Sequence, residues 1–352
     1  MRKNLKPMAM ALILSATPLA SVFASPEFGG DIRFRNELIN QEGKDKRFRQ
    51  RIRARLSAKG VVDDNVKYKL QLISGSSDPV SGNQSLDGGF SSKGVNIDLA
   101  YFTVKCPITG SNISLGKFKN PFFRPGKTEL VWDGDLNHEG IAIHKDLGPV
   151  FITAGYLFAE ERSSSPDTII HSIQTGLILD KETWKLTTAV AMYDYLAIHG
   201  QSGLADSSKG FGNSMNTVTV GSTTTASYKN NYSLAEVGIQ FDLKTINLSF
   251  VANAVRNTAV NKNHSGFLAG LSYGKKLKFK YNYRKIENDA VVGAFTDSDF
   301  HGGGTNGKGH EFGLSMKIAK SQKLGLSHFI NKTSLTNGLN YNRTMLDYSI
   351  KF

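Results

Sequence analysis

A single cysteine, Cys106, stands in 352 residues, so no intramolecular disulfide can form and a small disulfide-stapled fold is excluded. Long apolar runs are missing as well. Beyond residue 24 none approaches the roughly 18 residues that a spanning helix needs, which excludes a helical membrane protein. Acidic side chains are the minority, 30 Asp and Glu against 43 Lys and Arg. A globular exported chain and a transmembrane β-barrel both remain. A mean hydropathy of −0.27 suits either, because barrel strands alternate apolar and polar residues and average out.

Export is read from the start of the chain. Arg2, Lys3 and Lys6 precede the apolar run from Met8 to Ala20, and Val22-Phe23-Ala24 places small residues where a signal peptidase reads. This is the pattern of a secretory signal peptide over 1–24, with the mature chain expected over 25–352. Without those three cations, about 40 basic residues face 30 acidic ones, a net charge of about +10. An exported protein rarely meets nucleic acid, so the excess points to anionic solutes or lipid headgroups.

The most informative stretch is Arg47 to Leu56, RFRQRIRARL, where Arg47, Arg49, Arg51, Arg53 and Arg55 occupy every second position. At a helical period they would scatter, whereas at a period of two they share one face of a strand, with Phe48, Ile52, Ala54 and Leu56 on the other. The same period recurs along the chain. Sixteen strands are expected, centred on 30–39, 47–58, 66–74, 95–105, 112–118, 139–145, 149–159, 169–179, 184–194, 232–241, 246–255, 266–273, 276–286, 310–318, 323–331 and 342–352. Short connections such as 59–65, 106–111, 146–148 and 274–275 alternate with long ones rich in Gly, Ser, Asn and Asp: 75–94, 119–138, 195–231, 256–265 and 287–309. Short periplasmic turns and long extracellular loops are the plan of an antiparallel β-barrel in an outer membrane.

The faces then acquire directions. Lys276, Lys278, Lys280 and Arg284 alternate with Leu277, Phe279, Tyr281 and Tyr283, and Lys67 and Lys69 repeat the theme on a shorter strand. A Lys or Arg facing hydrocarbon near the midplane costs about 2–4 kcal/mol, so these rows are expected to look inward and line the lumen. The stretch 150–158 is apolar on both faces, and its side cannot be read.

The last ten residues, RTMLDYSIKF, set Leu346, Tyr348, Ile350 and Phe352 against Arg343, Asp347, Ser349 and Lys351. This row resembles the closing strand of bacterial outer-membrane barrels. The resemblance implies that Tyr348, Ile350 and the final Phe352 are read by the barrel-assembly machinery. Between Gly116 and Gly140, GKFKNPFFRPGKTELVWDGDLNHEG resembles a family of bacterial outer-membrane putative porins, as does the arginine-rich strand. The likeness is specific there and architectural elsewhere. General porins fold their third long loop into the barrel, so the resemblance makes 119–138 a candidate constriction loop, with Glu129, Trp132, Asp133 and Asp135 as its site residues. An outer lid packed by Trp132 and Phe122 is the equal alternative.

Other motifs fall short. Asp133, Asp135 and Asn137 begin a calcium-loop spacing, but His138 and His144 stand where the glycine and the twelfth-position glutamate belong, so no metal site is expected. Gly302 to Gly309, GGGTNGKG, lacks the Ser or Thr of a phosphate-binding loop and reads as a flexible external loop. His328, on an otherwise apolar face, is the one candidate for an outer-membrane hydrolase and more simply a histidine at headgroup level. Pairing of the arginines with Asp31, Glu37 or Asp98 would make a structural network, and that role can coexist with a pore wall.

The reading is an all-β transmembrane barrel of about sixteen strands, a porin for passive diffusion of ions and small hydrophilic solutes. It is expected to prefer anions through its basic lumen, to sit in outer-membrane lipid of a Gram-negative bacterium, and to need no cofactor or catalysis. A trimer is expected by analogy with general porins. A non-conducting barrel acting as an adhesin or receptor through 195–231 and 287–309, and an outer-membrane hydrolase, stay open as alternatives.

Overall fold

The computed structural model describes residues 25–352, so the signal sequence expected over 1–24 lies outside the described residues. β1 (Glu27–Gln41), β2 (Arg47–Asp63) and β3 (Val66–Ser74) are followed by the two-residue β4 (Gln84–Ser85). Then come β5 (Val95–Lys105), β6 (Asn112–Lys119), β7 (Asn137–Leu147), β8 (Val150–Glu160) and β9 (Thr168–Asp180). β10 (Trp184–Leu196) leads through a hairpin, β11 (Met215–Val220) and β12 (Thr223–Tyr228), to β13 (Tyr232–Leu243) and β14 (Leu248–Asn257). β15 (Ser265–Tyr273), β16 (Leu277–Ile286), β17 (Gly307–Ala319), β18 (Gln322–Lys332) and β19 (Asn340–Lys351) complete the order.

All of these except β4, β11 and β12 form one antiparallel barrel of sixteen strands, in which β1 pairs with both β2 and β19. Closure leaves no unpaired sheet edge to meet lipid. The seam ends on two backbone bonds, Gly30 N to Phe352 O at 3.0 Å and Phe352 N to Gly30 O at 3.1 Å. Gly30 is required there, because a Cβ would come within 2.5 Å of the Arg55 carbonyl oxygen and 2.7 Å of the Phe352 ring.

Sixteen strands near the expected centres confirm the period-two reading. The loop expected over 256–265 is shorter, 258–264, because β14 and β15 run further. Lys276 is a correction: it sits in the turn before β16, since the strand begins only at Leu277. The undecided strand β8 turns Phe151, Thr153 and Leu157 inward and leaves Ile152, Tyr156 and Phe158 exposed.

The exposed apolar side chains form an outer belt: Phe34 on β1, Ile143 on β7, Met192 on β10, Phe250 on β14, Leu314 and Met316 on β17 and Leu346 on β19 are examples. The buried apolar core lies inside the barrel. Three loops enter the lumen and bring it there: 120–136, 197–231 and 287–306 contribute Trp132, Leu130, Ile198, Leu204, Val291 and Phe295, which pack with Tyr193, Tyr195 and Tyr232 of the wall.

Candidate pore and its constriction

The loop 120–136 enters the barrel because its own residues start the bend. Asn120 Oδ1 accepts the Phe122 amide at 2.9 Å, and Pro121 and Pro125 prevent the strand from continuing. Three bonds then hold the loop to the wall. Gln174 of β9 accepts the Phe123 amide at 2.7 Å and donates to the Phe123 carbonyl at 3.1 Å, and the Gly126 amide donates to Gln240 of β13 at 2.7 Å. Gly126 has φ of +57°, and an added Cβ would lie 2.8 Å from Val251 Cγ1, so the site admits little else. Trp132 is 1% exposed and packs edge-on against Tyr193 and His138, with ring centroids 5.1 and 4.7 Å away. Phe122 packs edge-on against Tyr193 as well, with ring centroids 5.1 Å apart, so Trp132 and Phe122 together hold the loop against β10.

The loop 287–306 braces it from above. Thr296 Oγ1 donates to the Glu129 carbonyl at 3.0 Å, the Ser298 amide donates to Asp133 at 2.9 Å, and the Asp133 amide donates to the Phe295 carbonyl at 2.8 Å. Asp289 ties this loop to its neighbour 197–231, accepting from Ser214 N at 2.9 Å, Ser214 Oγ at 2.6 Å, Asn230 Nδ2 at 3.0 Å and Tyr232 OH at 2.7 Å. The glycine-rich stretch 302–309 is therefore a correction to the flexible external loop expected there. Gly304 packs against the Phe211 backbone, Thr305 and His301 are buried, and Gly307 already opens β17.

Opposite this plug stands the basic wall. The inward row of β2 faces that of β1 with Arg33 across from Arg53 and Arg35 across from Arg51, while Glu37 faces Arg49 and Asp31 faces Arg55. Like charges directly opposite each other on one face are unfavourable, and carboxylates from three sources relieve them. From the wall itself, Asp31 pairs with Arg55 at 2.7 Å, Glu37 with Arg49 at 2.8 Å and with Arg343, and Asp347 with Arg35 at 2.7 Å. From the first inward loop, Asp135 reaches Arg53 at 3.0 Å. From the third inward loop, 287–306, Asp299 reaches Arg35 at 3.2 Å and Arg343 at 2.9 Å. Asp98 takes no part, being held instead by Gln71 and Asn137. Arg33 has no acidic partner among the described residues and donates to Asn83 Oδ1 at 2.5 Å.

Three cavities run along this wall. One of about 610 Å³ at the loop end is lined by Arg47, Arg49 and Arg51. One of about 680 Å³ at the turn end is lined by Arg33, Arg53, Arg55, Lys278 and Lys280. Between them a cavity of about 400 Å³ has Arg33, Arg35, Arg53 and Arg55 on one side and Glu129, Asp133, Asp135, Asp297 and Asp299 on the other. The middle cavity shares lining residues with both neighbours, and across it the loop carboxylates face the arginines.

The remaining expected wall residues fall elsewhere. Lys67 and Lys69 share the inward row of β3 with Gln71 but line none of these three cavities. Arg284 is spent on holding the plug: only 2% exposed, it pairs with Asp297 at 2.8 Å and stacks over Phe300 at 4.4 Å. Arg33, Arg35 and Arg343 were missed. The alternation Asp31, Arg33, Arg35, Glu37 in β1 was the signal that could have found the first two.

The loop acids also form a cluster. Carboxylate oxygens of Glu129, Asp133 and Asp297 lie within 4.8 Å of one another. Burial, and next the negative charge of Asp297, push Glu129 up to about 8. Asp133 is raised well above the usual range by burial and then by Glu129, and Asp297 is raised by burial despite Arg284. Asp299 goes the other way: burial opposes ionisation, but Arg343 and Arg35 outweigh it and hold the carboxyl below its ordinary range. The calcium-like spacing does not converge, since Asp133 accepts from Ser298 while Asn137 turns to Asp98. His328 sits on β18 with its Nδ1 2.9 Å from the Thr344 hydroxyl, and shares no hydrogen bond with a serine or carboxylate among the described residues. Tyr348 and Phe352 are exposed on the outward side of β19, and Ile350 is half-buried in the same row.

A closed barrel of sixteen strands, belted with apolar side chains and holding the loop 120–136 beside an arginine wall, has the architecture of an outer-membrane porin. The family described as putative porin matches residues 29–236 and 223–352, and the chain belongs to it. Among solved structures, a triple mutant of the Rhodopseudomonas blastica porin superposes with a TM-score of 0.56 at 12% identity, covering 93% of this chain and all (100%) of the other. A loop-deletion mutant of OmpT, an outer membrane protein of Vibrio cholerae, gives 0.53 at 14% identity, covering 93% and 99%. At such identities the likeness is one of fold. No protein of curated function matches the chain.

Proposed function

We propose that this porin prefers anions, passing chloride and small anionic or hydrophilic solutes through the arginine-lined passage by diffusion. The observation that carries the reading is the charge facing the passage. Arg33, Arg35, Arg49, Arg51, Arg53, Arg55 and Arg343 outnumber Asp31, Glu37, Asp135, Asp299 and Asp347, with Arg33 lacking an acidic partner among the described residues. Two of the acids that would offset them, Glu129 and Asp133, are pushed toward the protonated form. A positive lining in a low-dielectric tube focuses field and enriches anions. The loop acids are not without effect: they sit across the middle cavity from the arginines, so a permeating solute lies between opposite charges, a setting that favours polar solutes over apolar ones.

Reversal potential in a planar bilayer under a salt gradient tests the reading. An anion-selective sign is expected, and Arg49→Gln, Arg51→Gln and Arg53→Gln together should move it toward zero. A cation-selective sign in the parent channel, or none of the shift in the variant, sinks the assignment of the filter to this wall. In the same reading Tyr348, Ile350 and Phe352 are the surface offered to the assembly machinery, and trimer formation follows the analogy with general porins.

A further inference from the structure

The two ends of the passage differ in charge. At the loop end, Lys44, Arg47, Arg49, Arg51, Lys209 and Arg343 share the cavity lining with Asp45, Asp78, Asp206 and Asp299, a smaller basic excess. At the turn end, Lys278, Lys317, Lys320, Lys323 and Lys351 line the chamber of about 680 Å³, and none of the five has a carboxylate within salt-bridge distance among the described residues. The acids of that chamber are already taken. Asp31 is held by Arg53 and Arg55, Glu311 by Lys280 at 3.0 Å, and Asp347 by Arg35. The register makes the excess worse: Lys317 stands directly across from Lys323, and Lys323 is followed around the barrel by Ser349, not by an acid. Facing ammonium groups on one side of a sheet repel, and the wall supplies nothing to relieve them.

We propose that this turn-side chamber is a binding site for compact multivalent oxyanions, of which pyrophosphate is the simplest probe. The proposal rests on the porin reading and adds the substrate class and the side from which it enters. A monovalent anion can answer one ammonium at a time, whereas an anion with three or more charges bridges Lys317, Lys323 and their neighbours at once. Lysine suits this task because its compact charge and three donors adapt to phosphate oxygens without the fixed planar geometry that arginine imposes. Access is one-sided. Towards the other end the arginines of the middle cavity, except Arg33, are already paired with Asp31, Asp135, Asp299 and Asp347, so a multivalent anion arriving from the loop end meets fewer unpaired cations.

Single channels of the intact protein carrying chloride test this without any variant. Pyrophosphate is added to one compartment, then to the other. A block from one compartment at about a tenfold lower concentration than from the other is expected, given the concentrating effect of a focused field. Lys317→Gln, Lys320→Gln, Lys323→Gln and Lys351→Gln combined should abolish that difference. Equal responses from both compartments, no response, or an undiminished difference in the fourfold variant each overturn the proposal. Reversal potential in the same channels keeps the two readings apart. An anion-selective sign without one-sided block removes the chamber site alone, while a cation-selective sign with the block retained removes the anion preference and leaves the site standing.

Discussion

The two halves of the lumen are built from strands with the same alternation, yet one stays charged and open while the other is dry. Around β19, β1 and β2 the inward positions carry arginines, and the loops deliver polar groups to them, the carboxylates of Asp135 and Asp299 and the amide of Asn83 among them. Around β10 and β13 the inward positions carry Tyr193, Tyr195 and Tyr232, and the loops deliver Trp132, Leu130, Val291 and Phe295. The strands alone therefore do not decide where water runs. What the loops bring decides it, and the apolar plug presses the passage against the wall that carries the charge.

The largest test of this contrast is Trp132→Ala. Emptying the centre of the plug should cost about 3–5 kcal/mol of packing, release the braced loops and raise single-channel conductance several-fold. Unchanged conductance would mean that the plug does not set the bore. Next comes Asp289→Ala, which strands the Tyr232 hydroxyl and the polar groups of Ser214 and Asn230, a loss of about 1–3 kcal/mol. Limited proteolysis within 197–231 should accelerate while the barrel stays folded, and an unchanged cleavage rate would detach that loop from the plug.

Gly126→Ala is milder, about 1–2 kcal/mol for a left-handed position, and should lower the thermal unfolding midpoint slightly. If it does not, the wall contact at Val251 is not tight. The smallest effect is pH-dependent. Glu129 is protonated below about 8, so raising the pH through that value adds negative charge opposite the arginines. Anion preference should fall between pH 7 and 9. Because the raised pKa favours the neutral form in the folded loop, packing of the loop weakens as pH rises from the ordinary carboxylate range to about 8, with no further loss above it. Glu129→Gln should flatten the profile, and a profile that stays steep in the variant would place the titrating group elsewhere.

The barrel was legible because period-two alternation has a direct physical cause: one face must meet hydrocarbon. RFRQRIRARL could be read on that ground alone, and β16 nearly so, with Lys276 lost to a turn boundary. The plug was much less legible. Stretches such as 287–306 are rich in Gly, Asn and Asp, a composition that reads as solvent-exposed, and only the apolar run Val291 to Phe295 hinted at burial. Arg284 continues the inward row of Lys278 and Lys280, and nothing in its own strand tells a residue facing water from one clamped by Asp297. Such roles depend on contacts between loops far apart in sequence, which no local period records.

The facing pairs Arg33 with Arg53 and Arg35 with Arg51 bear also on how the barrel comes to be. The hairpin of β1 and β2 brings these cations together as soon as it forms. Asp135 arrives only after the loop 120–136 has entered, and Asp299 only after the loop 287–306. Until then the hairpin repels itself across its inner face, held by Asp31 and Glu37 alone. Its formation in an assembling chain should therefore be slow at low ionic strength and faster when salt screens the repulsion, so that closing the seam waits on the loops whose acids neutralise it.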